Sequence, residues 1–110
     1  MRSAVIMELE EIKAEEIVTI GLNGKSDIAD YMIVATGRSQ RQVGAAAERV
    51  RKAAKALSGR AVAVEGLPAC DWVLIDTGDV IVHVFRPEVR EFYQLEKMWA
   101  PQGAAADAFR

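Results

Sequence analysis

His83 is the only histidine in the chain, and it stands in DTGDVIVHVF, residues 76 to 85, downstream of Asp76 and Asp79. A histidine oriented by a carboxylate is common equipment for acid-base and nucleophilic catalysis. Side chains two apart on a strand share a face, so Ile81, His83 and Phe85 lie together, opposite Val80, Val82 and Val84. The valine face is the better core. Asp79 has the parity of His83, but four residues of strand rise about 13 Å, beyond hydrogen-bond reach. Asp76 and Asp79 read more simply as turn formers flanking Thr77 and Gly78. No motif places a serine or cysteine nucleophile beside His83, so a structural or surface histidine is the stronger reading.

Two other stretches invite a chemical reading. TGRS, residues 36 to 39, stands where a buried strand passes into a helix, and backbone N–H groups at a helix start attract phosphate. The glycine spacing fits neither common phosphate loop, so a strand end followed by the N-cap Ser39 is the simpler account. A small nucleotidyl- or phosphotransferase using Gly37 to Ser39 is the alternative. Two-metal transfer would need closely spaced carboxylates facing that loop, whereas Asp27 and Asp30 precede the strand at its other end. Cys70 lies in a loop beside Pro68 and Asp71 with no cationic neighbour in sequence, and reads as an inert thiol.

The elements that must position these residues are those of one domain. A chain of 110 residues has room for one core, and its composition, 51% hydrophobic and 27% charged, is that of a globular protein. No apolar run approaches membrane-helix length, the N-terminus reads neither as a secretory signal nor as a transit peptide, and a lone cysteine fits a reducing cytoplasm. Cys70 and His83 alone cannot supply a structural zinc site, and no cofactor is expected. Charge is unevenly placed. Residues 38 to 60 carry seven basic residues and the single acid Glu48, whereas residues 1 to 30 are mainly acidic. Such a basic run is usually a solvated helix face, and RNA-proximal roles for Arg41, Arg49 and Lys52 are the weaker reading.

Periodicity predicts a helix over residues 3 to 14, capped by Ser3, with Val5 or Ile6, Leu9 and Ile12 on one stripe. IVTIGL (17 to 22) and YMIVAT (31 to 36) are strands, the second apolar enough to be buried on both faces. A helix then runs from Ser39 to the stop at Gly59, with Val43, Ala47, Val50, Ala54 and Leu57 facing inward. RAVAVEG (60 to 66) follows after a crossover long enough to be parallel to the second strand. WVLID and DVIVHVF form a hairpin across Thr77-Gly78, and Pro87 opens a last helix that Pro101 ends. The expected fold is a mixed α/β sheet of about five strands with flanking helices. Residues 1 to 100 are expected to be one domain and 101 to 110 a flexible tail.

The last helix stands apart. FYQLEKMW puts Phe92, Tyr93, Leu95, Met98 and Trp99 on a surface wider than one buried stripe requires. Trp72, Phe92, Tyr93 and Trp99 could converge as either core or a protein-binding patch, for which tryptophan and tyrosine are favoured anchors.

GKSDIADYMIVATGRSQRQV, VEG, DWVLIDTGDVIVHVF and REFYQLEKMW, in this order and spacing, resemble the ribosomal silencing factor family, RsfS or Iojap, over about residues 5 to 100. The resemblance implies a non-enzymatic, commonly homodimeric factor. It would bind the large ribosomal subunit through that subunit's fourteenth ribosomal protein and block joining with the small subunit. It also implies a fold like that of nucleotidyltransferases without their catalytic carboxylates. Carried to matching positions, the partner-facing residues are Trp72, Asp76 and Asp79 of the hairpin with Tyr93, Leu95, Glu96, Lys97 and Trp99 of the last helix.

Overall fold

The computed structural model describes residues 1–22 and 29–89. The described elements run α1 (Arg2–Glu11), β1 (Glu15–Gly21), β2 (Tyr31–Thr36), α2 (Gln40–Ser58), β3 (Ala63–Glu65), β4 (Trp72–Asp76) and β5 (Val80–Phe85). The five strands form one mixed sheet in the order β1-β2-β5-β4-β3. β2 and β5 are parallel, from Tyr31↔Val80 to Thr36↔Phe85, while the other three neighbouring pairs are antiparallel. β3 therefore runs in the direction of β2, as the crossover requires, but two strands separate them.

Local chemistry sets the limits of α2. The Ser39 hydroxyl accepts from the Gln42 N–H at 3.1 Å, which satisfies one of the open donors of the first turn. At the other end Gly59 is left-handed at φ 71° and donates its N–H to the Lys55 carbonyl at 2.8 Å, a conformation in which a Cβ would be strained. Val43, Ala46, Ala47, Val50 and Ala54 are buried, so small side chains bring the helix close to the sheet. Leu57, expected to point inward, is instead 61% exposed. Periodicity defines a face of a helix, not where the layer opposite that face ends. The Ser3 cap also does not form: α1 begins at Arg2, with Met1 in the cap position and no side-chain cap bond. Val5 and Leu9 of α1 are buried.

The sheet has two unlike faces. Val5, Leu9, Val43, Ala46, Ala47 and Val50 of the helices pack with Ile33, Ala35, Val73, Ile75, Val80, Val82 and Val84 into the larger core. Each large aliphatic side chain fully buried there contributes about 1.5–3 kcal/mol. On the other face Ile20, Leu22, Ala29, Met32, Val34 and Phe85 cluster, with Trp72, Ile81 and Val89 against them. β2 thus feeds both cores, as its unbroken apolar sequence predicts.

The β4–β5 turn lies one residue later than expected. β4 ends at Asp76 and β5 begins at Val80, so residues 77–79 link them. The Thr77 N–H and hydroxyl both donate to the Val80 carbonyl, at 3.0 and 2.8 Å, and Gly78 takes φ 105°. Trp72 consequently pairs with Phe85, and Leu74 with His83. A turn at Thr77-Gly78 would have set Trp72 opposite His83. Because the shift is even, every side chain keeps its face.

Candidate partner-binding site on the second sheet face

Trp72, Leu74 and Asp76 of β4 share the second face with Ile81, His83 and Phe85 of β5. Directly across the ladder, the Trp72 ring stacks on Phe85 with centroids 5.1 Å apart and planes 25° apart. Diagonally, the Trp72 Nε1–H donates to His83 Nδ1 at 3.0 Å, a reach that long aromatic side chains have across antiparallel strands. His83 also stacks on Phe85, at 5.8 Å and 21°. Among the described residues, three rings thus sit together at one end of the hairpin, with Phe85 fully buried and Trp72 half-buried.

The environment of His83 decides its chemistry. Val34 of β2 and Leu74 of β4 flank it in register, and the residue is only 7% exposed. Burial pushes the imidazole pKa down from 6.5 to about 4, because the cation loses its hydration without gaining a carboxylate. The ring is neutral at physiological pH. Accepting at Nδ1 places its one proton on Nε2.

Neither acid of the hairpin serves this histidine as an orienting carboxylate. Asp76 is the other diagonal neighbour, and its Oδ1 accepts from the Gly78 N–H at 2.9 Å. Asp79 is exposed, and its backbone carbonyl accepts from the N–H groups of Asp30 and Tyr31 at 2.9 and 3.2 Å, tying the turn to the start of β2. Both are turn residues, as their sequence setting predicts.

The remaining candidates separate. At TGRS, the Gly37 N–H donates to the Phe85 carbonyl at 2.8 Å and the Arg38 N–H to Gln42 Oε1 at 2.6 Å. A Cβ at Gly37 would stand 2.7 Å from Val43 Cγ2, so this glycine serves close strand-helix packing. Cys70 is buried. Among the described residues no group of three or more His, Cys, Asp or Glu could hold a metal ion, and no helix is long and apolar enough to cross a membrane.

Much of the basic run is paired within the molecule. Arg49 binds Glu8 of α1 at 3.0 Å and approaches Glu11 at 4.0 Å. Arg38 donates to Glu15 at 2.7 Å, Arg51 to Glu48 at 3.0 Å, and Lys52 lies 3.9 Å from Glu48. The acidic N-terminal segment thus offsets the basic helix. Of the three basic candidates, only Arg41 has no ion pair among the described residues; it is exposed.

The hairpin half of the expected patch is therefore placed, with Trp72 half-buried beside the rings and Asp76 and Asp79 at the turn. Pro87 opens a helical turn over 87–89, whereas Tyr93, Leu95, Glu96, Lys97 and Trp99 lie outside the described residues. Sequence reasoning did not anticipate the Trp72–His83 bond. A signal was available, since an indole N–H needs an acceptor and both residues have the parity of one face. It also missed Arg86, whose guanidinium donates to Asp71 Oδ1 at 2.8 Å while its N–H donates to the Asp71 carbonyl at 3.0 Å. That pair locks the entry of β4 to the exit of β5, next to Trp72.

Comparison with known proteins accords with this architecture. The family model described as ribosomal silencing factor during starvation matches residues 1–109, a wider span than the motifs alone delimit. A ribosomal silencing factor RsfS from Zymomonas mobilis is 58% identical over 83% of this chain and 68% of its own length. One from Haemophilus influenzae is 41% identical over 84% and 90%. A crystal structure of a Chromobacterium violaceum protein superimposes with a TM-score of 0.85 at 40% identity, covering 89% of this chain and 82% of that one. Fold, motif order and relatives agree: the chain belongs to the RsfS family, the ribosomal silencing factors during starvation.

Proposed function

We propose that this chain silences translation by seating on the large ribosomal subunit, against its fourteenth ribosomal protein, where it sterically blocks joining with the small subunit. The observation that carries the reading is Trp72: an aromatic anchor, half-buried at the rim of the second face and held by Phe85 and His83. Interface energy concentrates in such residues, tryptophan and tyrosine above all. Asp76 and the exposed Asp79 beside it suit a basic ribosomal protein, since opposite potentials speed encounter and reject like-charged surfaces. Tyr93, Leu95, Glu96, Lys97 and Trp99 complete the proposed contact. Residues 1 to 100 form the binding domain, residues 101 to 110 a tail, and the factor works in the cytoplasm as a homodimer.

Steric exclusion needs no bond-making step and no cofactor. A factor overlapping the bridging surface subtracts its own binding free energy from subunit association, and a nanomolar dissociation constant corresponds to about 12 kcal/mol. Sedimentation of purified subunits with and without the protein tests this directly. The reading expects fewer joined ribosomes and the protein travelling with the large subunit. Unchanged joining at saturating protein overturns it. The phosphotransferase alternative predicts micromolar magnesium-nucleotide binding that is lost on Ser39→Ala; calorimetry is expected to detect none, because the Ser39 hydroxyl and the Gly37 and Arg38 N–H groups already have partners.

A further inference from the structure

The buried imidazole does no acid-base work in the proposed function, yet among the described residues it is the one buried titratable side chain of the second face. A tryptophan on a strand has two soft torsions. Stacking on Phe85 sets the plane of the Trp72 ring but does not by itself select which edge of the indole faces His83. The 3.0 Å bond from Nε1 to His83 Nδ1 makes that selection, because the indole carries a single donor and only one edge of the ring bears it. The acceptor is itself immobile, flanked by Val34 and Leu74 and stacked on Phe85. We propose that His83 is a positioning residue for partner recognition: its Nδ1 holds the Trp72 indole in the one orientation in which that ring meets the ribosomal protein.

Preorganisation of this kind raises affinity by reducing the ordering that binding must impose. It also explains why a histidine occupies an otherwise apolar strand. Phenylalanine would fill the volume but remove the acceptor of the indole N–H. The inference rests on the proposed interface through Trp72, and the two can fail separately.

The test uses the full chain and purified large ribosomal subunits. His83→Phe keeps a ring and removes the acceptor, whereas His83→Asn carries an amide oxygen near the position of Nδ1. Two readouts are followed: the indole N–H resonance of Trp72, assigned by its loss in Trp72→Phe, and affinity for the subunit by co-sedimentation. In His83→Phe the resonance should shift and exchange faster with solvent, and affinity should fall about tenfold, the scale of one lost hydrogen bond. His83→Asn should restore both. In a Trp72→Phe background, His83→Phe should add no further loss. An unchanged indole resonance in folded His83→Phe overturns the proposal, as does an affinity loss that His83→Asn fails to rescue or that persists in full without the Trp72 indole. If Trp72→Ala leaves subunit affinity intact, the interface reading falls instead, and the indole resonance alone then decides whether His83 orients Trp72.

Discussion

β4 presents two unlike surfaces within five residues. Val73 and Ile75 point into the helix-covered core and are fully buried, while Trp72, Leu74 and Asp76 face the other way and are all half-buried. The first surface is sealed by α1 and α2 and is apolar apart from its packing of backbone. The second mixes a buried imidazole, a stacked pair of rings and a carboxylate engaged in a turn. On the proposed interface, stability and recognition are divided between faces of the same strand, and substitutions on alternate residues should separate them.

The largest effect is expected on the sealed face. Ile75→Ala removes a fully buried side chain paired across the ladder with Val82, which should cost about 2–5 kcal/mol of unfolding free energy in denaturant titration. Protein that remains folded should bind the large subunit as wild type does. An affinity loss in folded Ile75→Ala would break the division of labour.

The second face contributes to stability in a pH-dependent way. His83 titrates near 4 in the folded protein and near 6.5 when unfolded, with burial the cause. Below pH 6.5 the unfolded chain therefore takes up a proton that the folded chain refuses. The contribution is complete above about pH 6.5 and is lost as pH falls toward 4, amounting to about 3 kcal/mol. Unfolding free energies measured from pH 7 to pH 4 should decline accordingly, and His83→Phe should flatten that decline. Glu48, whose carboxylate the Arg51 hydrogen bond holds below its ordinary value, loses its share only at more acid pH.

Trp72→Ala is expected to have the opposite signature to Ile75→Ala. Its cost should fall mainly on recognition, at least about 2 kcal/mol of subunit affinity by co-sedimentation, with the helix-covered core intact. Equal binding of wild type and variant would remove the second face from the proposed interface.

How much of this was legible beforehand depended on whether the signal was local. Ser39 and Gly59 bound α2 through chemistry contained within a turn, and the alternation of VIVHVF assigned every β5 residue to its correct face. The register of the hairpin was not local. It depends on which residues close the turn, and Thr77 settles that by donating twice to Val80. Only with that register known does Trp72 stand opposite Phe85 and diagonal to His83. Leu57 failed for a related reason, since its burial depends on a layer contributed by another part of the chain. Gly66 is a third case: a Cβ there would lie 2.2 Å from the Trp72 carbonyl, which explains the glycine of VEG only once β3 and β4 are paired.

The smallest expected effect concerns the basic helix, and it sharpens the contrast by testing a surface that should do neither job strongly. Arg49 joins α2 to α1 through Glu8 and Glu11, yet its side chain remains 44% exposed, so solvent and salt screen the attraction. Arg49→Ala should lower stability by less than about 1 kcal/mol, with the difference shrinking in high salt. Its effect on subunit affinity should be smaller than that of Arg41→Ala, because Arg41 has no ion pair among the described residues and keeps its charge available to phosphate. If both variants instead weakened binding strongly and flattened its dependence on salt, counterion release from RNA would be the main source of affinity. The hairpin rings would then be secondary to the helix that the acidic N-terminal segment only partly neutralises.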